Sequence, residues 1–324
     1  MKRPIALLLC AVLTLVPLTS CSQQVTSDKG DRISVVTTIF APYDFVRAIA
    51  GDNVELTMLL PPGAESHSFE PTPQDIIRIQ QCDVFIYVGG ESDEWVNGIL
   101  DSMDTSNMRI TTLMDCVDVV EEVIVEGMQD DSVEATTDND HKSPADTEPE
   151  YDEHVWTSPR NAMLIVQKIS EALCEADPAN AETYRANTTD YLARLAELDA
   201  RFQDVVDHAH RHTIVFGDRF PFRYLADAYG LTYYAAFPGC SAETEASAAT
   251  IAFLIDKVEA EGLPVVFHIE LSNPTIANTI SEATGAEVLL LHACHNVSQQ
   301  DFDAGKTYLD FYNDNVAALK EALQ

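Results

Sequence analysis

Short apolar runs alternate with amphipathic stretches along most of the chain. In the first half, β-branched and apolar residues predict four strands, and apolar residues every three or four positions between them predict three helices. The predicted strands are 33–38, 54–60, 83–88 and 109–113, and the helices are 42–50, 72–80 and 94–102. Strands separated by helices pair in parallel, so this half is expected to form an α/β lobe.

The second half repeats this alternation. The predicted strands are 213–216, 232–236, 265–269 and 288–291, and the helices are 222–228, 247–259, 275–284 and a final amphipathic helix ending near Leu323. Between the halves, no glycine or proline follows Pro178 before Thr213, and a stripe of apolar residues has helical period. The pattern therefore predicts two lobes, each a mostly parallel sheet flanked by helices, joined by one long α-helix over 177–212. About 32 helical residues at about 1.5 Å each would span roughly 48 Å.

The first residues resemble an export signal. Lys2 and Arg3 precede an apolar run over 5–16 that is short for a bilayer span, and the run ends in Leu18-Thr19-Ser20-Cys21. This ending resembles the lipobox of bacterial lipoproteins, in which the signal is cleaved before a cysteine that receives lipid. We expect a signal peptide over 1–20, a lipid-modified Cys21 and a polar tether over 21–30, with an ordinary secretory signal as the alternative.

The charge of the chain excludes some partners. The 324 residues carry a formal charge of −34, which becomes −34 − 2 = −36 when Lys2 and Arg3 are removed. Such a charge repels nucleic acid and attracts cations. An acidic insert over about 126–150 interrupts the N-terminal lobe, 31–176, and the C-terminal lobe covers 213–324. We expect the insert either to attract cations or to be a solvated surface loop without a role.

Five side chains that bind divalent metals follow predicted strands. Ligands of open α/β sheets bind beyond the carboxyl ends of the strands, and the cleft between two lobes is such a place. Imidazole and carboxylate groups are ligands of zinc and manganese, and residues drawn from both lobes would couple closure to binding. The candidate metal ligands are His67, His154, Asp218, Glu270 and His292.

Two segments give a specific resemblance. Residues 63–73, Gly-Ala-Glu-Ser-His-Ser-Phe-Glu-Pro-Thr-Pro, and residues 152–159, Asp-Glu-His-Val-Trp-Thr-Ser-Pro, resemble the first and second ligand segments of the zinc and manganese solute-binding lipoproteins of ABC importers. The resemblance implies a monomer anchored by lipid outside the cytoplasmic membrane. It also implies a divalent metal held between the lobes by four side chains, and an ABC permease with its ATPase as partners. It carries His67 and His154 over as ligands from the first lobe.

The second-lobe ligands depart from the family pattern. Gly217 stands where the family has a histidine or glutamate, and His292 falls near the family's last aspartate. If His292 supplies a nitrogen and Asp218 or Glu270 an oxygen, three imidazoles and one carboxylate favour zinc, whereas two carboxylates would admit manganese. Each residue has another interpretation. Asp218 would cap the following helix or pair with Arg219, and Glu270 would orient a loop through backbone hydrogen bonds. His295 lies three residues after His292, and either of the two could be a loop histidine with satisfied hydrogen bonds.

Other functions remain open on the sequence. Histidines with a carboxylate also describe the catalytic zinc of a secreted hydrolase, and a surface adhesin could share the fold. The chain has no His-Glu-x-x-His helix, Gly-x-Ser-x-Gly elbow or phosphate loop, so we expect no enzyme. None of the five cysteines after position 21 forms a C-x-x-C pair, and a disulfide between Cys240 and Cys294 is predicted because both follow adjacent strand ends.

Overall fold

Each half of the chain builds a parallel sheet of four strands. The computed structural model describes residues 32–66, 69–129, 150–241 and 245–324. The first sheet contains β1 (Ile33–Thr37), β2 (Val54–Met58), β3 (Val84–Tyr87) and β4 (Arg109–Thr112), in the order β2-β1-β3-β4. The second contains β5 (Thr213–Phe220), β6 (Thr232–Pro238), β7 (Val265–His268) and β8 (Glu287–Leu290), in the order β6-β5-β7-β8. The predicted α/β class with two parallel sheets is confirmed.

Helices connect and cover the strands. They are α1 (Phe40–Ala50), α2 (Pro73–Gln81), α3 (Glu94–Leu100), α4 (Pro159–Ala176), α5 (Ala181–Asp207), α6 (Arg223–Tyr229), α7 (Ala248–Glu261), α8 (Thr275–Thr284), α9 (Gln299–Asp303) and α10 (Tyr308–Leu323). Helix α2 begins with the predicted Pro73 and a capping box, because Thr72 and Asp75 each bind the backbone N–H of the other. In the part of the chain that the structure describes, no helix combines the length and apolar character needed to cross a bilayer.

The connection between the lobes differs from the prediction. Helix α5 has 27 residues, about 40 Å, because a corner at 177–180 precedes it. Asp177 is the C-cap residue of α4, and Asn180 is the N-cap residue of α5. Oδ2 of Asp177 accepts hydrogen bonds from Asn180 Nδ2 at 2.7 Å and from the hydroxyl of Tyr184 at 2.7 Å. Before this corner lies α4, which is absent from the predicted elements. Its buried residues recur at helical spacing and Pro159 occupies its first turn, so the sequence does carry the signature of this helix.

A continuous apolar core joins the two lobes. It includes Val35 and Val84 of the first sheet and Phe216 and Phe267 of the second. Helix α5 contributes its predicted stripe to the same core, at Tyr184, Tyr191, Leu195, Leu198, Phe202 and Val206. The helix packs against α1 and α4 on one side and α6 and α10 on the other. The lobes therefore share much of their buried surface, which restricts large hinge motions between them.

Some predicted features lie outside the described residues. These are the signal peptide, Cys21 and the tether, most of the acidic insert (130–149), and His67 with Ser68. The ends of the insert are described. Gln129 donates its backbone N–H to Ala236 O of the second lobe at 3.0 Å, and Glu122 donates to Glu150 O at 2.9 Å. Gln129, at the first end of the insert, thus lies beside the carboxyl end of β6, on the side of the sheets where the candidate ligands lie.

Candidate metal centre

The loop that leads to His67 is attached to the second lobe. After β2, residues 61–66 turn back with Gly63 in the left-handed region at φ +83°, a conformation that favours glycine. Gly63 donates its N–H to Val297 O at 2.8 Å, and the side chain of Asn296 donates to Pro61 O at 2.7 Å and to Ala64 O at 2.9 Å. The residues that precede His67 are thereby held against the loop that follows β8.

His154 is fully buried in a short turn just before α4. Asp152 Oδ1 accepts the backbone N–H of His154 at 2.8 Å and lies 3.0 Å from Nδ1 of the ring. Burial alone would lower the pKa of His154, but the carboxylates of Asp152, Glu153 and Glu122 outweigh it and raise the pKa above its ordinary value. An Nδ1–H bonded to Asp152 leaves Nε2 to bind a metal, which is the usual carboxylate–histidine arrangement of metal sites.

His295 is the second-lobe histidine that meets His154. Its ring centroid lies 4.7 Å from that of His154, with the planes at 79°, and 5.1 Å from that of Trp156. Its side chain is buried, and Trp156 Nε1 donates to Ala293 O at 2.7 Å, which fixes the loop against the first lobe. Two cavities meet here: Ser66, directly before His67, lines both of them together with His295. The structure therefore brings residues 66, 154 and 295 to one place.

His292 points elsewhere. Its ring packs on Phe311 of α10 with centroids 4.6 Å apart, and its backbone N–H donates to Asn315 Oδ1 at 2.7 Å. Burial lowers the pKa of His292 to about 4. The predicted ligand His292 thus lies in an apolar contact with the last helix, and His295, which was not among the predicted ligands, occupies the position beside His154.

Asp218 and Glu270 use their oxygens to hold backbone. Asp218 accepts the N–H groups of Ile269 at 3.1 Å and Arg219 at 2.8 Å, and also the hydroxyl of Ser272. Glu270 accepts the N–H groups of Ala293 at 2.7 Å and His295 at 3.1 Å. Burial raises the pKa of Glu270 to about 7. Glu270 orients the loop that carries His295, as the second interpretation of this residue stated.

Two further features of β5 explain the departure at Gly217. A Cβ at this position would lie 2.4 Å from the backbone nitrogen of Ala277 in α8, so helix packing leaves no room for a side chain there. Arg219 reaches the cleft instead, where its guanidinium forms two hydrogen bonds of 3.2 Å to Glu65 of the first lobe. A buried cation therefore lies next to the candidate site, and the sequence pattern did not indicate it.

The predicted disulfide is wrong in this structure. Cys240 and Cys294 are both free thiols, as are the other cysteines of the described residues. Cys294 is buried within the core beneath the loop, whereas Cys240 follows β6 and lies near His154. Ligand atoms of Glu153, His154 and Cys240 all lie within 4.8 Å of one another. Cys240 follows β6 and Cys294 follows β8, and these two strands are the opposite edges of the sheet β6-β5-β7-β8, so their ends are not adjacent as the prediction assumed.

Comparisons with known proteins agree with this architecture. The sequence profile of the family described as "Zinc-uptake complex component A periplasmic" matches residues 35–322. The chain is 30% identical over 295 residues to "High-affinity zinc uptake system protein ZnuA" of Bacillus subtilis, covering 91% of this chain and 89% of that protein. It is 29% identical over 319 residues to "Zinc-binding lipoprotein AdcA" of Streptococcus pneumoniae, covering 98% of this chain. It spans 61% of the AdcA length.

A solved structure shows the same fold. The crystal structure of the Zn(II)-bound ZnuA-like domain of Streptococcus pneumoniae AdcA superimposes with a TM-score of 0.73 at 27% sequence identity. The superposition covers 90% of this chain and 99% of that domain. With a family match over almost the whole described region and a shared two-sheet fold, the chain belongs to the ZnuA family of periplasmic zinc-uptake components.

Proposed function

We propose that this protein is an extracytoplasmic solute-binding protein that captures zinc between its lobes and delivers it to the permease of an ABC importer. The observation that carries the proposal is the edge-to-face contact of His154 and His295, which come from different lobes, beside the residues that precede His67. The names of its relatives, a zinc-binding lipoprotein and a zinc uptake protein, support the same cargo.

We infer that the ligands are His154 and His295, which the geometry brings together, and His67, which follows from the motif that contains it. Three imidazole nitrogens favour zinc, which accepts nitrogen ligands in a tetrahedral site, over manganese, which prefers more oxygens and a higher coordination number. In this proposal Asp218 and Glu270 shape the second-lobe loops and His292 packs against α10, so His295 takes the role first predicted for His292. Manganese remains a weaker cargo of the same site.

We further propose a location and partners. Cleavage before Cys21 and lipid attachment there would anchor the protein as a monomer outside the cytoplasmic membrane, where an ABC permease and its ATPase accept the zinc. The cation-attracting charge of −34 suits capture and opposes nucleic acid as a partner. The relatives named above act in zinc binding and uptake, and we propose no catalytic step for this chain.

Titration of zinc into the purified protein tests the proposal. We expect one zinc per chain, and we expect His67→Ala and His154→Ala each to weaken binding because each removes a metal-binding nitrogen. His208→Ala is the matched control, since His208 is exposed at the end of α5, where its ring contacts Asp204. Wild-type affinity in both His67→Ala and His154→Ala would show that the site is wrong, and a wild type that binds no zinc would reject the function.

A further inference from the structure

Glu153, His154 and Cys240 form a group with three different metal-binding atoms. A ligand nitrogen, a carboxylate oxygen and a thiol sulfur all lie within 4.8 Å of one another. Glu153 and His154 precede α4 in the first lobe, and Cys240 follows β6 in the second. The group therefore spans the cleft, as the pair of His154 and His295 does, and it shares His154 with that pair.

The backbone beside Cys240 is built for close approach to the imidazole. A Cβ on Gly239 would lie 2.8 Å from Cε1 and 3.0 Å from Nδ1 of His154, closer than two such atoms can come. Only glycine allows the loop to press against the ring. The N–H of Cys240 donates to Glu122 Oε1 at 3.4 Å, which ties the loop to the first lobe. Both contacts keep the sulfur next to His154.

We propose that Cys240 supplies a sulfur ligand from the second lobe to the zinc ion that His154 binds. The inference rests on the proposed zinc capture and names one more of its ligands. Zinc binds sulfur at about 2.3 Å and nitrogen at about 2.1 Å, so the two atoms on one tetrahedral ion are about 3.6 Å apart. Side-chain shifts of about 1 Å would bring the observed group to that spacing. The sulfur–hydrogen bond breaks as the sulfur–zinc bond forms, and the proton passes to the buffer.

The proposal accounts for the second-lobe ligands. Gly217 has no side chain, the oxygens of Asp218 accept backbone hydrogen bonds, and Arg219 is a cation. In this proposal β5 therefore supplies no ligand. In this proposal His295 and Cys240 are the zinc ligands from the second lobe, and His67 and His154 are the zinc ligands from the first. A thiolate favours zinc further over manganese, because soft ligands select zinc.

Cobalt(II) in place of zinc gives a direct test. A cobalt–sulfur bond produces a near-ultraviolet charge-transfer band that imidazole and carboxylate ligands do not. We expect the band in the wild type and in Cys174→Ser, a matched control whose thiol lies on α4. We expect its loss in Cys240→Ser, together with at least tenfold weaker zinc binding and a smaller preference for zinc over manganese. A wild type that binds cobalt without the band, or a band that survives in Cys240→Ser, would overturn the inference.

A second measurement needs no variant. The wild-type protein is alkylated with and without zinc, and the labelled cysteines are identified by peptide mass. We expect zinc to protect Cys240 and to leave Cys174 unaffected; equal labelling of Cys240 in both states would overturn the inference. Zinc binding without sulfur coordination leaves the proposed function intact and removes only Cys240 from the site. A protein that binds no zinc at all removes both.

Discussion

His292 and His295 lie on the same loop, three residues apart, and meet opposite surroundings. His295 contacts two aromatic rings of the first lobe at the cleft, whereas His292 packs on Phe311 of the last helix in its own lobe. Cys294 between them has φ +62°, a left-handed conformation that is rare for residues other than glycine. One residue with this backbone conformation thus separates the histidine at the cleft from the histidine that packs within its own lobe.

Different anchors hold the two ends of this loop. Glu270 accepts the backbone N–H groups at 293 and 295, and Asn315 pairs with both backbone groups of His292 at 2.7 and 2.8 Å. Asn296, next to His295, donates hydrogen bonds to the loop before His67. Proximity to a strand end therefore selects several candidate ligands, while the local backbone decides which of them faces the cleft.

The largest expected effect is on zinc affinity. A protein zinc site is worth about 10–16 kcal/mol, so one of four ligands contributes about 3–4 kcal/mol, or a factor of about 10² to 10³ in affinity. We expect His295→Ala to lose this amount and His292→Ala to bind zinc nearly as the wild type does. Competition against a chelator of known affinity measures both variants.

The same titration defines the outcome that would reverse the assignment. If His292→Ala loses affinity and His295→Ala does not, the loop must turn in the zinc-bound state so that the first predicted ligand faces the metal. Circular dichroism of both variants provides the control, because a loss of fold would weaken binding for either residue. A manganese titration of the wild type measures the selectivity of the site. We expect manganese to bind more weakly than zinc.

The next effect is the contribution of His292 to stability in acid. Burial lowers the pKa of folded His292 to about 4, while the unfolded side chain titrates near 6.5. Between these values the unfolded chain binds the extra proton, so His292 makes folding less favourable as the pH falls from about 6.5 to about 4. With allowance for partial exposure, the loss is about 2–3 kcal/mol.

Urea unfolding of the zinc-free protein at pH 7 and at pH 4.5 measures this loss. We expect the decrease in the free energy of unfolding to be smaller in His292→Gln than in the wild type. Other groups titrate in both proteins and cancel in the difference. His208→Gln, at an exposed position, is the control and should match the wild type. An equal decrease in His292→Gln and wild type would contradict the burial of this imidazole.

The sequence predicted the strands and the fold class of the protein better than its candidate metal site. Alternation of apolar runs located all eight strands of the described residues, most readily the central strands, which are largely buried and form short apolar runs in the sequence. The two motifs indicated His67 and His154 by resemblance. The second-lobe ligands were not predictable in this way, because Asp218 and Glu270 bind backbone groups that lie near them only in the folded chain.

The other features of the candidate site depend on local backbone conformation and on packing between distant segments. Nothing in the sequence around Cys294 indicates a left-handed residue, so periodicity could not separate His292 from His295. The packing of α8 explains why position 217 has no side chain, and the approach of Gly239 to His154 explains why Cys240 lies beside that ring. These are contacts between distant segments, which a single sequence does not record.

A smaller effect is expected at two asparagines that hold the loop after β8, Asn296 in the loop itself and Asn315 in α10. Asn296→Ala removes two hydrogen bonds that hold the loop before His67, each worth about 1 kcal/mol, and we expect zinc to dissociate about tenfold faster. Asn315→Ala removes two similar bonds at the His292 end. It should lower the unfolding free energy without changing the zinc dissociation rate. Stopped-flow transfer of zinc to a chelator measures the rates, and equal rates in the two variants would argue against separate roles for the two ends.

The smallest effect concerns the acidic insert, which we expect to change capture but not retention. Residues 130–149 contain seven carboxylates and one lysine. A field of this kind concentrates cations over roughly 10 Å at 0.1 M salt without contacting the bound ion. Replacing the seven carboxylates by their amides, with the pinned ends at Gln129 and Glu150 unchanged, keeps the length of the segment. At low salt we expect zinc association to slow by a few-fold, with the difference vanishing at high salt and the dissociation rate of the His295 site unchanged. A slower association that persists at high salt, or an altered dissociation rate, would mean that the insert contributes ligands rather than a field.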